Sequence, residues 1–181
     1  MRPKRYSSDG IVLARRNYSE ADRILVIYSK RYGKLHFLAK AIRRPESRKR
    51  GSLEVFSHIK FSASRGRNLD LISEAEIINS FPKVRKNLKK VAVAYFLIET
   101  VGRVTKEEEK NEALFSLLRE NLAMLKSSEN LRKLREVFVY DVLVLLGFWP
   151  KGRVMNNPDK ILEDIAEREI TSIRVGKKLL S

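Results

Sequence analysis

The residues with the clearest chemical purpose are cations. Lys40, Arg43, Arg44, Arg48, Lys49 and Arg50 fall within Lys40-Ala-Ile-Arg-Arg-Pro-Glu-Ser-Arg-Lys-Arg-Gly-Ser52, against the single acid Glu46. Pro45 and Gly51 keep the stretch irregular, and segments that read as strands flank it, so it is predicted to be a surface loop. Such a charge density repels itself unless an anion lies against it. A phosphate backbone is the commonest such partner, because each neutralised phosphate releases counterions. The other reading is a solvated basic loop without a partner. Arg15 and Arg16, at the end of the first predicted strand, and Arg65 and Arg67, around Gly66 in a turn, extend the set. Tyr18 and Phe56 lie beside these cations and could stack on bases.

Other chemistries are less well supplied. Asp70, Glu74 and Glu76 have the even spacing that puts three carboxylates on one strand face, the kind of set that holds Mg²⁺ in a nuclease. The two histidines, His36 and His58, lie far apart on predicted strands, and His58 is expected at the surface. With no cysteine, thiolate metal sites, disulfides and a cysteine nucleophile are excluded. No glycine-rich phosphate loop is present. The reading is a binding protein rather than an enzyme, with no catalytic residue, no metal and no cofactor.

These residues must be positioned by something that folds. The 181 residues are 43% hydrophobic, enough for packed cores. The formal net charge is +16, divided as +10 through Pro82 and +6 beyond it, which makes the first half the expected nucleic-acid face. No apolar run reaches signal-peptide or membrane-span length, so a soluble cytoplasmic protein is expected. Apolar and β-branched runs separated by turns predict strands over 10–16, 22–29, 34–41, 53–63 and 69–78, the fourth with a period of two. In the fourth, Leu53, Val55, Ile59, Phe61 and Ala63 share the buried face, and Glu54, Phe56, His58 and Lys60 the polar one. Tyr28, Phe37 and Phe61 are expected in the core. Five short strands in about 80 residues suggest a small barrel, with an OB-fold the five-stranded candidate and a sandwich or SH3-like barrel giving a similar string.

At Phe81-Pro82 the period changes. Helices are expected near 87–105, 109–126 and 129–146, with apolar stripes through Leu88, Val91, Ala92, Tyr95, Phe96, Ile98 and Val101, then Leu114 to Leu125, then Leu131 to Leu146. Ser127-Ser128-Glu129 is the predicted cap of the third, and Gly147 with Pro150 stop it. One more short helix is expected after Met155-Asn-Asn-Pro-Asp159, and another between Ile173 and Leu180. The fold class is therefore α+β: a five-stranded OB-like barrel over 1–80, followed by a helical bundle over 81–181.

Several stretches taken in order resemble the bacterial RecO family: Gly10-Ile-Val-Leu13, Tyr18-Ser-Glu-Ala-Asp-Arg23, Gly33-Lys-Leu35, and Ala39-Lys40 running into Arg43-Arg-Pro-Glu-Ser47. Gly51-Ser-Leu-Glu-Val-Phe56, Gly66-Arg67, Glu74-Ala-Glu76, Phe81-Pro82 and Leu145-Leu-Gly-Phe-Trp-Pro150 continue it. The resemblance implies an N-terminal OB domain and a helical domain. It implies binding of single- and double-stranded DNA and annealing of complementary strands in recombinational repair. It also implies work with RecR and single-strand-binding protein in loading RecA, in the cytoplasm at the nucleoid. It carries over DNA contacts onto Arg43, Arg44 and Arg48, and onto Arg15, Arg16, Lys40, Arg65 and Arg67. Many members have a cysteine-rich zinc module after the Leu-Gly-Phe segment. Here Lys151 to Asn157 stand in that place without a cysteine, so no zinc is expected, and longer members continue with further helices. An RNA- or ribosome-associated OB protein and a metal-dependent nuclease are the alternative functions.

Overall fold

The computed structural model of the protein describes residues 3–47, 49 and 51–166. The helix expected between Ile173 and Leu180 lies outside them. Among the described residues two compact units form: the chain through Ser80 with Lys106–Phe115, and Phe81–Thr105 with 116–166.

The first unit is a closed barrel of β1 (Arg5–Tyr18), β2 (Asp22–Ser29), β3 (Gly33–Ala39), β4 (His58–Ser64) and β5 (Asp70–Asn79). The strand order is β1-β2-β3-β5-β4, closing back on β1, the OB arrangement. Closure depends on the length of β1. Its first half pairs with β4, from Arg5↔Ser64 to Ile11↔His58, and its second half with β2, from Gly10↔Ser29 to Tyr18↔Asp22. A bulge between Val12 and Ala14 bends the strand where it changes partner. All pairings are antiparallel except β3 with β5.

Inward residues of every strand fill the interior. Phe37 and Phe61 meet edge to face with centroids 5.1 Å apart, and Tyr6 meets the half-buried Tyr32 at 4.9 Å. Tyr28, Phe37 and Phe61 are buried as expected. The β2–β3 turn ends at Gly33, which has φ +70°, and a Cβ there would stand 2.2 Å from the carbonyl oxygen of Glu109. That near contact arises because Lys106–Phe115 belongs to the barrel unit, although the sequence reading groups it with the helices. Glu107 bridges to Lys34 as a short parallel pairing, Glu108 N–H donates to the Lys34 carbonyl at 3.0 Å, and the Phe115 ring packs edge-on to His58.

The second unit contains α1 (Pro82–Arg85), α2 (Leu88–Val104), α4 (Leu131–Leu145) and α5 (Pro158–Ala166), with the later residues of α3 (Glu112–Met124). The Asn87 side chain caps α2 by accepting from Lys90 N–H. Asn130, not the expected Ser127-Ser128-Glu129, caps α4 by accepting from Lys133 N–H at 2.9 Å. Gly147, at φ +77°, ends α4 as expected. In α2 the buried face is Ala92, Val93, Ala94, Phe96, Leu97, Ile98, Thr100 and Val101. Leu88 and Tyr95, expected on the core stripe, are instead exposed, at 69% and 46%. They share a helical line with Glu99 and Arg103, and burial of the whole opposite side leaves that line outside. Arg135 ties the unit together: its guanidinium lies 4.1 Å from the Phe96 ring centroid and donates to Asp159 Oδ1 at 2.6 Å. Among the described residues no helix is long and apolar enough to cross a membrane.

Candidate nucleic-acid interface

The basic loop is held at both ends by its own apolar residues. Ile42 and Leu53 are fully buried in the barrel core, so the cations between them are carried outward by a segment whose ends cannot leave. The near end is also clipped to the β1–β2 turn. Arg43 N–H donates to the Ala21 carbonyl at 2.9 Å, and Ala41 N–H to Asp22 Oδ1 at 2.8 Å. The Arg43 guanidinium itself reaches the Ser19 carbonyl at 3.3 Å. The far end is clipped to β1, with Phe56 N–H donating to the Val12 carbonyl at 2.8 Å and Val12 N–H to the Ser57 carbonyl at 3.1 Å.

Lys40, Arg43 and Arg44 are exposed on this frame. Lys49 is half-buried and its ammonium donates to the Ile72 carbonyl at 3.3 Å, so it straps the loop to β5 in this structure. Arg48 and Arg50 lie outside the described residues. Arg16 and Tyr18 are exposed at the end of β1, next to the turn that Arg43 touches. Arg15 differs from them: its guanidinium pairs with Glu54, which also lies 3.7 Å from Arg23. One carboxylate therefore offsets part of the positive charge at this edge, and a phosphate at Arg15 competes with Glu54 for the guanidinium. Sequence alone hides this pairing, because 39 residues separate the partners.

Arg65 and Arg67 are exposed and belong to a different neighbourhood. Arg65 N–H donates to the Lys4 carbonyl at 2.9 Å, and Arg5 pairs with Ser64 across β1 and β4. Lys4 and Arg5, exposed and not singled out by the sequence reading, thus join Arg65 and Arg67 in a second basic group. Strand pairing is the signal that finds them. The 65–69 turn and the basic loop both approach the start of β5, through Gly66 N–H on Asp70 Oδ1 and Lys49 on Ile72.

Three expectations are corrected. Phe56 is only 1% exposed. Residues 53–57 form no strand, and Phe56 takes φ +54°, which turns its ring out of the predicted alternation and into the interior, so it offers no face to a base. His58 is buried as well, at 6% exposed, with Nε2 4.0 Å from Asp9 and its ring against Phe115. The carboxylate trio does not assemble. β5 pairs Ser62 with Glu74 but Ala63 with Ile72, so one extra residue, Ser73, is bulged between them. The bulge reverses the inside–outside phase. Asp70 points inward and accepts from the Tyr6 hydroxyl, whereas Glu74 and Glu76 are exposed. Among the described residues no group of three metal-ligating side chains forms. His36 is the outward histidine, 3.1 Å from Glu107.

Burial, then the charge of Glu109, pushes the Tyr28 phenol well above its ordinary pKa. It stays a neutral donor near the Asn111 carbonyl and adds no negative charge to this unit.

Comparison with known proteins bears on this geometry. The family model for the N-terminal part of recombination protein O matches residues 1–81, and that for its C-terminal part residues 85–153. The DNA repair protein RecO of Pelotomaculum thermopropionicum is 37% identical over 147 residues, which is 81% of this chain and 57% of that protein. The DNA repair protein RecO of Symbiobacterium thermophilum is 34% identical over 146 residues, 80% of this chain and 58% of the relative. That of Desulforamulus reducens is 40% identical over 115 residues, 64% and 45% of the two chains. The matched stretches thus cover roughly half the length of these relatives.

Proposed function

The chain belongs to the RecO family, and from that premise we propose that it binds single- and double-stranded DNA and anneals complementary strands in recombinational repair. RecR and single-strand-binding protein are its proposed partners, RecA loading the step it serves, and the cytoplasm its compartment. The observation that carries the reading is the exposed set Lys40, Arg43 and Arg44 on a loop anchored by Ile42 and Leu53. Arg16 and Tyr18 flank it, and Arg65 and Arg67 form a further approach.

The work in this reading is electrostatic. Two strands repel through their phosphates, and ammonium and guanidinium groups on a fixed frame lower that repulsion by displacing condensed counterions. Arginine suits the task because its planar fork meets two phosphate oxygens at once. Tyr18 supplies a face on which a base can stack without sequence preference. No covalent step is required, and the chain's residues act by binding and orienting. The separation of Asp70 from Glu74 and Glu76 removes the support for a nuclease.

The test is annealing of two complementary fluorescent oligonucleotides, with and without protein, at two salt concentrations, without ATP or metal. Salt-sensitive acceleration is expected. Binding without acceleration would leave a generic OB binder, and tighter binding of structured RNA than of DNA at equal salt would move the substrate to RNA.

A further inference from the structure

A further concentration of charge lies on the helical unit, apart from the two basic groups on the barrel. Lys83, Arg85, Lys86, Lys89 and Lys90 fall within eight residues, and no Asp or Glu occurs between Glu76 and Glu99. Phe81 and Val84 are buried, at 5% and 1% exposed, and fix α1 so that Lys83, Lys86 and Lys89 all face solvent. None of these three pairs with a carboxylate among the described residues. Lys90 acts differently: its ammonium donates to the Lys126 carbonyl at 2.8 Å, which brings the exposed Lys126 alongside the start of α2. Ammonium groups three residues apart repel one another, and Lys89, in the first turn of α2, opposes that helix's dipole, whereas Lys83 and Lys86 close the single turn of α1. The fold gains no ion pair from Lys83, Lys86 and Lys89 among the described residues. Their arrangement suits a chain of phosphates.

We propose that Lys83, Lys86, Lys89 and Lys126 form a second site for a nucleic-acid backbone, so that one chain holds two strands, one on each unit. The inference rests on the annealing role proposed above and supplies what that role needs: tethering two strands to one polypeptide turns their encounter into an intramolecular event at a high effective concentration. An anionic membrane is the less fitting polyanion. Interfacial insertion uses a continuous apolar helix face, but the apolar face of α2 is buried within its own unit, leaving Leu88 and Tyr95 exposed on a line that they share with Glu99 and Arg103.

The experiment counts short strands on the 181-residue chain by native mass spectrometry, using non-complementary oligonucleotides of about ten nucleotides, within one OB site size. Annealing rates of complementary strands are measured in parallel. The wild type binds two oligonucleotides per chain. The variant K83Q/K86Q/K89Q binds one, keeps the first affinity within about twofold, and anneals at least about tenfold more slowly, the loss of three phosphate contacts at low salt. K83R/K86R/K89R, which keeps the charges, retains two strands and the wild-type rate. Unchanged thermal unfolding shows that the glutamine variant folds. Two strands and a wild-type rate in the glutamine variant overturn the inference. One strand on a wild type that still anneals overturns it while leaving the annealing role standing, and no strand on the wild type overturns both. Loss of binding to phosphatidylserine vesicles in the glutamine variant, with two oligonucleotides still bound, assigns the surface to a membrane instead.

Discussion

Neutralising Lys40, Arg43 and Arg44 together, each to glutamine, is expected to weaken single-stranded DNA binding by an amount that depends on salt in a calculable way. All three side chains are exposed. The loop stays in place through Ile42, Leu53 and main-chain bonds such as Arg43 N–H to Ala21, none of which needs the charges. If each cation meets one phosphate, each contributes about 0.7 to the slope of log affinity against log salt on a single strand. Removing three therefore flattens the slope by about 2. Between about 50 and 200 mM salt, a fourfold change, the wild type loses roughly 18-fold more affinity than the variant, so the ratio of their affinities shrinks by that factor. Fluorescence anisotropy with a labelled oligonucleotide at four or more salt concentrations measures it. Arg15→Gln is the internal comparison: Arg15 is already paired with Glu54, so its removal changes the slope by less than one unpaired cation does. A triple variant with the wild-type slope, or an Arg15 variant with an equal or larger change, would refute the placement of the interface on this loop.

Phe56→Ala is expected to destabilise the barrel by about 3–5 kcal/mol, the cost of emptying a buried aromatic site, and to leave the DNA affinity of the folded fraction unchanged; chemical denaturation and anisotropy read the two effects separately. Gly33→Ala is expected to lower stability by more than about 1 kcal/mol, because φ is +70° and the new Cβ would meet the Glu109 carbonyl; equal melting temperatures would contradict the docking of Lys106–Phe115. Burial raises the Asp141 carboxyl above its ordinary 3.8. A raised folded pKa means that ionisation disfavours the fold, a penalty absent below the unfolded value and complete above the folded one. Asp141→Asn is therefore expected to raise the melting temperature at pH 7 and to leave it unchanged near pH 3.

Much of the architecture is legible in local patterns. The apolar, β-branched run in 22–29 places β2 at Asp22–Ser29, and the change of period at Phe81-Pro82 marks where helices begin. The charge run at 40–50 reads as a loop, and the ordered motifs from Gly10 to Pro150 point to the family that the comparisons identify. These features survive because each is written in neighbouring residues, where side-chain period and charge density act directly. The carboxylate trio fails for the opposite reason. Even spacing along β5 predicts one face only while the ladder stays in register, and the Ser73 bulge is set by how β5 pairs with β4. Phe56 and His58 read as outward by the same local rule, and the backbone at φ +54° and the packing of Phe115 overrule it.

What the sequence determined by itself is therefore the class of most elements, the excess of positive charge and its place on a loop. Tertiary structure alone decided which cations are engaged and which are displayed. Glu54 meets Arg15, Lys49 reaches Ile72, Asp159 meets Arg135, and Lys40 and Arg44 are left facing solvent. Those pairings join residues brought together only when the barrel closes or the helices pack. Charge is a property of each residue, whereas its compensation is a property of distance, and distance is fixed only by the fold.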